Sequence, residues 1–194
     1  MFEQLFNDLL KYYGNSLTQY SNQVVIEEVK SHTILIRDSS TISLCLSMFD
    51  WAKFRTAKGG IKIHTQWDEA MMLPNLVNIT EAAVHDSKGF EQVVFEKETV
   101  IIEDKGYWDF GVIRDRIKAE NRFVTRIKDN TVYQVIEELD LPDENDQHVL
   151  IDELIQLTGK KAIDLKLDSQ TLRRVVAYHE EKNTTIEIIN KNIS

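Results

Sequence analysis

The chain has 194 residues, 32 of them acidic and 23 basic, for a net charge of −9 at pH 7. That length suits one domain, or one domain with an insertion, and the acidic balance argues against a dedicated DNA-binding module, which is normally basic. Cys45 is the single cysteine, which excludes an internal disulfide and a cysteine-built zinc site. No apolar run is long enough to cross a bilayer, and Met1-Phe2-Glu3-Gln4-Leu5-Phe6 lacks the basic start of a signal peptide. Gly and Pro are scarce, so a flexible linker is not expected. Together these features predict a cytoplasmic protein with no membrane association.

In chain order, Phe2, Leu5, Phe6, Leu9 and Leu10 share one face of a helix over 2–13, with Gly14-Asn15-Ser16 as its stop. Residues 1–31 read as an N-terminal helical remnant whose packing partner is missing upstream. A strand follows over 33–38. A loop holding Phe49, Trp51 and Phe54 is closed by Gly59-Gly60, and Ile61 to Asp68 alternates apolar and polar as a strand with one solvated face does. A third strand centres on Leu76-Val77-Asn78-Ile79. Ser87 to Glu96 reads as a short helix, Thr99 to Asp104 as a strand, Tyr107 to Glu120 as a helix with Phe110, Ile113 and Ile117 on one face, and Phe123 to Ile127 as a strand. The order is β-β-β-α-β-α-β, in which helices of this length can link parallel strands. It predicts an α/β fold, an RNase H-like mixed sheet with helices, over 32–130. Four further strands, over 132–136, 149–157, 172–178 and 184–189, predict a β-rich insertion after the fifth strand, over 131–194.

Two carboxylates stand out. Asp38 ends Thr33-Ile34-Leu35-Ile36-Arg37-Asp38, and Asp104 ends the similar run Thr99-Val100-Ile101-Ile102-Glu103-Asp104. Short Ile- and Val-rich strands that each deliver an acid to a sheet edge can hold divalent metal for phosphodiester chemistry. Taken singly, either acid is as readily a strand-end or turn residue, and Asp38 before Ser39-Ser40 could start a turn. Asp86 before Ser87 is expected to cap the following helix, and His64 to be a packed histidine. Asp140, Asp143, Glu144 and Asp146 lack the glycine and closing Glu of a calcium loop and read as a solvated acidic loop. Cys45 has no evident base to activate it. Lys62, Arg126 and Lys128 stand among clustered basic residues and are candidate phosphate contacts, with solvated or ion-paired roles equally open.

Several segments carry a resemblance: Ile36-Arg37-Asp38-Ser39-Ser40-Thr41-Ile42; Trp51-Ala52-Lys53-Phe54-Arg55 leading to Gly60-Ile61-Lys62-Ile63-His64; Val84-His85-Asp86-Ser87-Lys88; Glu103-Asp104-Lys105-Gly106-Tyr107-Trp108-Asp109; and Arg122-Phe123-Val124-Thr125-Arg126-Ile127-Lys128-Asp129-Asn130. In this order and spacing, the chain from about His32 resembles bacterial insertion-sequence transposases of the DDE type, specifically the insertion-sequence-four family. The resemblance implies a two-metal site in which Asp38 and Asp104 are catalytic and ligate Mg2+ or Mn2+, DNA as partner (element ends and target), and other transposase subunits as possible partners. The family's third ligand is a Glu in a pattern of Tyr, two residues, Arg, three residues, Glu. That pattern is absent here, since Glu181 stands at the Arg position after Tyr178 and Glu187 lies in a predicted strand. The expectation is therefore a transposase catalytic core truncated at both ends and lacking its third acid. The rival readings are a free-standing nuclease using Glu103 or another local acid, and a non-catalytic remnant that binds DNA or transposase subunits.

Overall fold

The computed structural model describes residues 2–17, 32–44, 59–91, 93–141 and 148–191. The expectations for Cys45, for the aromatic loop with Phe49, Trp51 and Phe54, and for Asp143, Glu144 and Asp146 fall outside them. The chain divides into two units, 1–102 and 103–194. Among the described residues no helix is long and apolar enough to cross a membrane.

The first unit opens with helix α1, Phe2–Leu17, which runs through Gly14 instead of stopping there. Gly14 is buried, and the space beside it is taken by side-chain atoms of Leu10 and Met71, so packing overrides its helix-breaking tendency. Strands β1 (Ile34–Leu44), β2 (Gly59–Asp68) and β3 (Leu73–Glu81) form an antiparallel meander, and β4 (Val100–Glu103) lies beside β1. β1 is longer than predicted. Thr41, Ile42, Ser43 and Leu44 extend it by pairing with Lys62, Ile61, Gly60 and Gly59, so Asp38 sits within the strand, and Ser39-Ser40 makes no turn.

The alternation in β1 and β2 resolves unexpectedly. The polar set is the more buried one: Arg37 is 5 % exposed, His64 0 % and Gln66 5 %, whereas Ile36 is 38 % exposed. Buried polar groups need partners, and each of these residues has at least one. Arg37 donates from Nε to Gln66 Oε1 at 3.1 Å and lies under the rings of Phe90 and Phe95. His64 Nε2 is 2.9 Å from Thr80 Oγ1. This cover explains why the helix predicted over 87–96 is reduced to a 3-10 turn, Asp86–Lys88. Two aromatic rings must reach one guanidinium, and Gly89 passes so close that a Cβ there would lie 2.3 Å from the His64 ring.

The second unit begins with a 3-10 turn, Lys105–Tyr107, then helix α2 over Phe110–Lys118, shorter than the helix predicted over 107–120. Asp109 sets its start by accepting from the backbone N–H groups of Gly111 and Val112. Strands β5 (Arg122–Arg126), β6 (Tyr133–Glu138), β7 (Val149–Leu157), β8 (Thr171–His179) and β9 (Thr184–Asn190) follow, with a short helix α3, Lys160–Asp164, that the sequence reading does not contain. β6, β7, β8 and β9 form an antiparallel meander, and β9 pairs with β5 through Val124–Asn190 and Arg126–Ile188. One core of Trp108, Ile113, Phe123, Ile127, Ile155, Leu157, Leu167, Leu172 and Ile189 serves α2, β5 and the later strands alike.

Candidate active site

Asp38 belongs to the first unit and Asp104 to the second. Asp38 is exposed on the side of β1 shared with Ile36 and Ile42, and one of its carboxylate oxygens accepts the Ser39 backbone N–H at 2.8 Å. Ser39 turns the other way, towards the covered polar face, opposite His64 on β2. There its hydroxyl donates to Asp86 Oδ1 at 2.7 Å, and Lys62 Nζ meets the same oxygen at 2.9 Å. Lys62 also donates to the Val84 carbonyl at 2.8 Å. Burial by itself would raise the Asp86 carboxyl, but the hydrogen bonds from Lys62 and Ser39, with the nearby positive charge, hold it below its ordinary value. His64 is pushed down chiefly by burial. Asp86 opposes that shift and Lys62 adds to it.

One sequence expectation is corrected here, and Lys62 is found with partners inside its own unit. The cap of the turn at 86–88 is His85, whose ring accepts from the Ser87 N–H, and Asp86 instead faces Ser39 and Lys62. Lys62 was a candidate phosphate contact. Its side chain is 13 % exposed and engaged by Asp86 and Val84, so the ammonium is spent inside the unit. His64 is a packed histidine, as the bland reading had it.

In the second unit Asp104 follows the end of β4, and its side chain is 53 % exposed. Arg126 NH1 stands 3.4 Å from its Oδ1, a long contact between two half-exposed groups, worth little in water. Lys128 Nζ donates to the Trp108 carbonyl at 3.0 Å. Glu103, the residue before Asp104, is quite different. Its side chain is 1 % exposed and takes a bidentate pair from Arg116, at 2.6 and 2.7 Å. Glu187 is likewise held by Arg174, which also binds Glu153, while Arg173 holds Asp152. Glu103, offered by the sequence as a substitute third ligand, and Glu187 are thus both committed to arginines. Among the described residues no group of three His, Cys, Asp or Glu side chains gathers to hold a metal ion.

Sequence reasoning missed the Ser39–Asp86 link and the Glu103–Arg116 pair. The first depends on strand register. The second left a trace: Arg116 lies three residues after Ile113, on the buried stripe of α2, where a charge calls for a buried partner.

Residues 30–192 match the family described as Transposase DDE domain. A protein of Sinorhizobium fredii (strain NBRC 101917 / NGR234) bearing the name transposase y4zB is 30 % identical over 154 residues, covering 79 % of this chain and 42 % of its own length. A protein of Geobacillus stearothermophilus, named as a transposase for the insertion sequence element IS5377, is 24 % identical over 152 residues, covering 78 % of this chain and 39 % of its own. The chain thus spans about two fifths of the length of these relatives. With its family match running through both units, this chain belongs to the DDE-domain transposases.

Proposed function

We propose that the chain is the catalytic core of a DNA transposase of the insertion-sequence-four type, with Asp38 and Asp104 as its metal-holding carboxylates. In this reading residues 32–130 form an RNase H-like core and residues 131–194 the β-rich insertion, preceded by an N-terminal segment that holds helix α1. The observation that carries it is a contrast among acids. Glu103, Asp152, Glu153 and Glu187 are consumed by arginines, whereas Asp38 and Asp104 present exposed carboxylates in the matched strand contexts that the family uses.

Exposed carboxylate oxygens fit Mg2+ or Mn2+, which prefer oxygen ligands and retain water. When bound, such ions activate the attacking oxygen and stabilise the leaving one in phosphodiester cleavage and strand transfer. The chain's own part is to hold the two aspartates oriented. In this reading Arg126 and Lys128 contact DNA phosphates. Glu103 and Glu187, locked in ion pairs, do not supply a third carboxylate in this reading. That also removes the support for a free-standing nuclease using Glu103. A cytoplasmic setting, with DNA and further transposase subunits as partners, follows from the same reading.

The test is Mn2+ titration and DNA nicking by the purified 194-residue protein. We expect weak Mn2+ binding, lost in Asp38→Ala and in Asp104→Ala, and no useful nicking, because two carboxylates hold a pair of ions poorly. Tight binding unaffected by either change, or efficient nicking that survives both, refutes the assignment.

A further inference from the structure

We propose that Asp86 is a positioning residue for Asp38, acting through Ser39, so that Ser39, Asp86 and Lys62 brace the strand that carries the catalytic carboxylate. The inference rests on the reading of Asp38 as a metal ligand.

Three observations carry it. First, Ser39 is the last covered side chain on β1 before a run of four exposed ones. Leu35 and Arg37 are buried and Ser39 is half-buried, but Ser40, Thr41, Ile42 and Ser43 are all exposed. A strand that loses its buried side chains yields locally, and Asp38 sits at that point of transition. Second, the brace grips from the covered side. The Ser39 hydroxyl donates to Asp86 Oδ1 at 2.7 Å, and Lys62 Nζ neutralises that oxygen at 2.9 Å while its bond to Val84 ties in the turn before Asp86. Third, the brace is coupled to the carboxylate directly. The Ser39 N–H donates to Asp38 Oδ1, so the residue held by Asp86 also sets the direction of the Asp38 side chain.

Asp86 itself is a poor ligand candidate. Its Oδ1 already accepts from Ser39 and faces Lys62, and a cation arriving there would have to displace an ammonium. Groups that orient a metal carboxylate from behind commonly change metal affinity as much as activity. They work by fixing geometry, and misplacement by a fraction of an ångström is enough to be felt.

The experiment measures Mn2+ binding by the full chain, through water-proton relaxation, with thermal unfolding alongside. Ser39→Ala cuts the link to Asp86 but leaves the Asp86–Lys62 pair in place. We expect Mn2+ affinity to fall on the order of 10-fold with little change in the unfolding midpoint, a separation that a merely structural role would not produce. Ser39→Thr keeps the hydroxyl and should restore affinity. Asp86→Asn keeps an oxygen acceptor for Ser39 but loses the charge, so it should bind Mn2+ nearly as wild type while unfolding earlier. Should Ser39→Ala bind Mn2+ like wild type while Asp38→Ala does not, the brace is wrong and the metal reading stands. Should Asp38→Ala also bind like wild type, both fall together.

Discussion

Glu103 and Asp104 are adjacent acids with opposite fates, and the difference is solvent. Arg116 meets Glu103 with two short hydrogen bonds in a nearly dry setting, so each charge depends on the other. Breaking such a pair costs roughly 3–5 kcal/mol, because the remaining charge is left buried and unpaired. Glu103→Gln should therefore lower stability by about that amount in urea unfolding, while the folded fraction keeps its Mn2+ response. A nuclease that used Glu103 as a ligand would show the reverse, a lost metal response at unchanged stability. Sequence alone could not separate the two acids, since both close the same Ile-rich run and nothing local reports that Arg116 reaches back to one of them.

At the scale of elements, α2 shows how local chemistry sets a boundary. Asp109 accepts two backbone N–H groups that would otherwise have no partner at the helix start. Asp109→Ala should cost about 1 kcal/mol, read as a lower unfolding midpoint, whereas Asp109→Asn or Asp109→Ser should recover most of it. At the other end Glu120 adopts φ 58°, the left-handed conformation that usually ends a helix on glycine. The predicted helix over 107–120 passed both boundaries because its apolar spacing, Phe110, Ile113 and Ile117, continues to look helical. The helix expected over 87–96 failed for the opposite reason. Its residues satisfy partners elsewhere, with Phe90 and Phe95 drawn onto Arg37 and Gly89 onto His64. Strand positions survived best, since β-branched runs are read locally, but β1 outgrew its prediction once Gly59-Gly60 became pairing partners.

For the molecule as a whole, the polar interior of the first unit makes stability depend on pH. His64 in the fold lies below its ordinary value of 6.5, so the unfolded chain takes up a proton before the native one does. Its contribution is fully present above that value and declines as pH falls from it towards the folded pKa. Asp86 is held below its ordinary 3.8, so its contribution is present above that pH and is lost on further acidification. Both act in the same direction. The unfolding midpoint should be level above neutrality, fall as pH drops below about 6.5, and fall again below about pH 4. His64→Gln should flatten the first step and leave the second, and a midpoint that rises on acidification would contradict the assignment.

Several things were legible in the sequence by itself. The ordered motifs pointed to the DDE family that residues 30–192 match. Because β-branched alternation is a local property, strand periodicity located each strand of the described residues, although β1 runs six residues past its expected end. Tertiary structure alone decided which face of each strand is buried and which charges are spent. The faces of β1 and β2 reverse the usual rule, polar side inward, because the cover brings aromatic rings and hydrogen-bond partners for Arg37, His64 and Gln66. Glu103 is held by Arg116 and Lys62 pairs with Asp86, while Asp38 and Asp104 keep exposed oxygens. Pairing partners lie tens of residues apart in the chain, and desolvation depends on everything packed around a group, so neither is written in any local stretch of sequence.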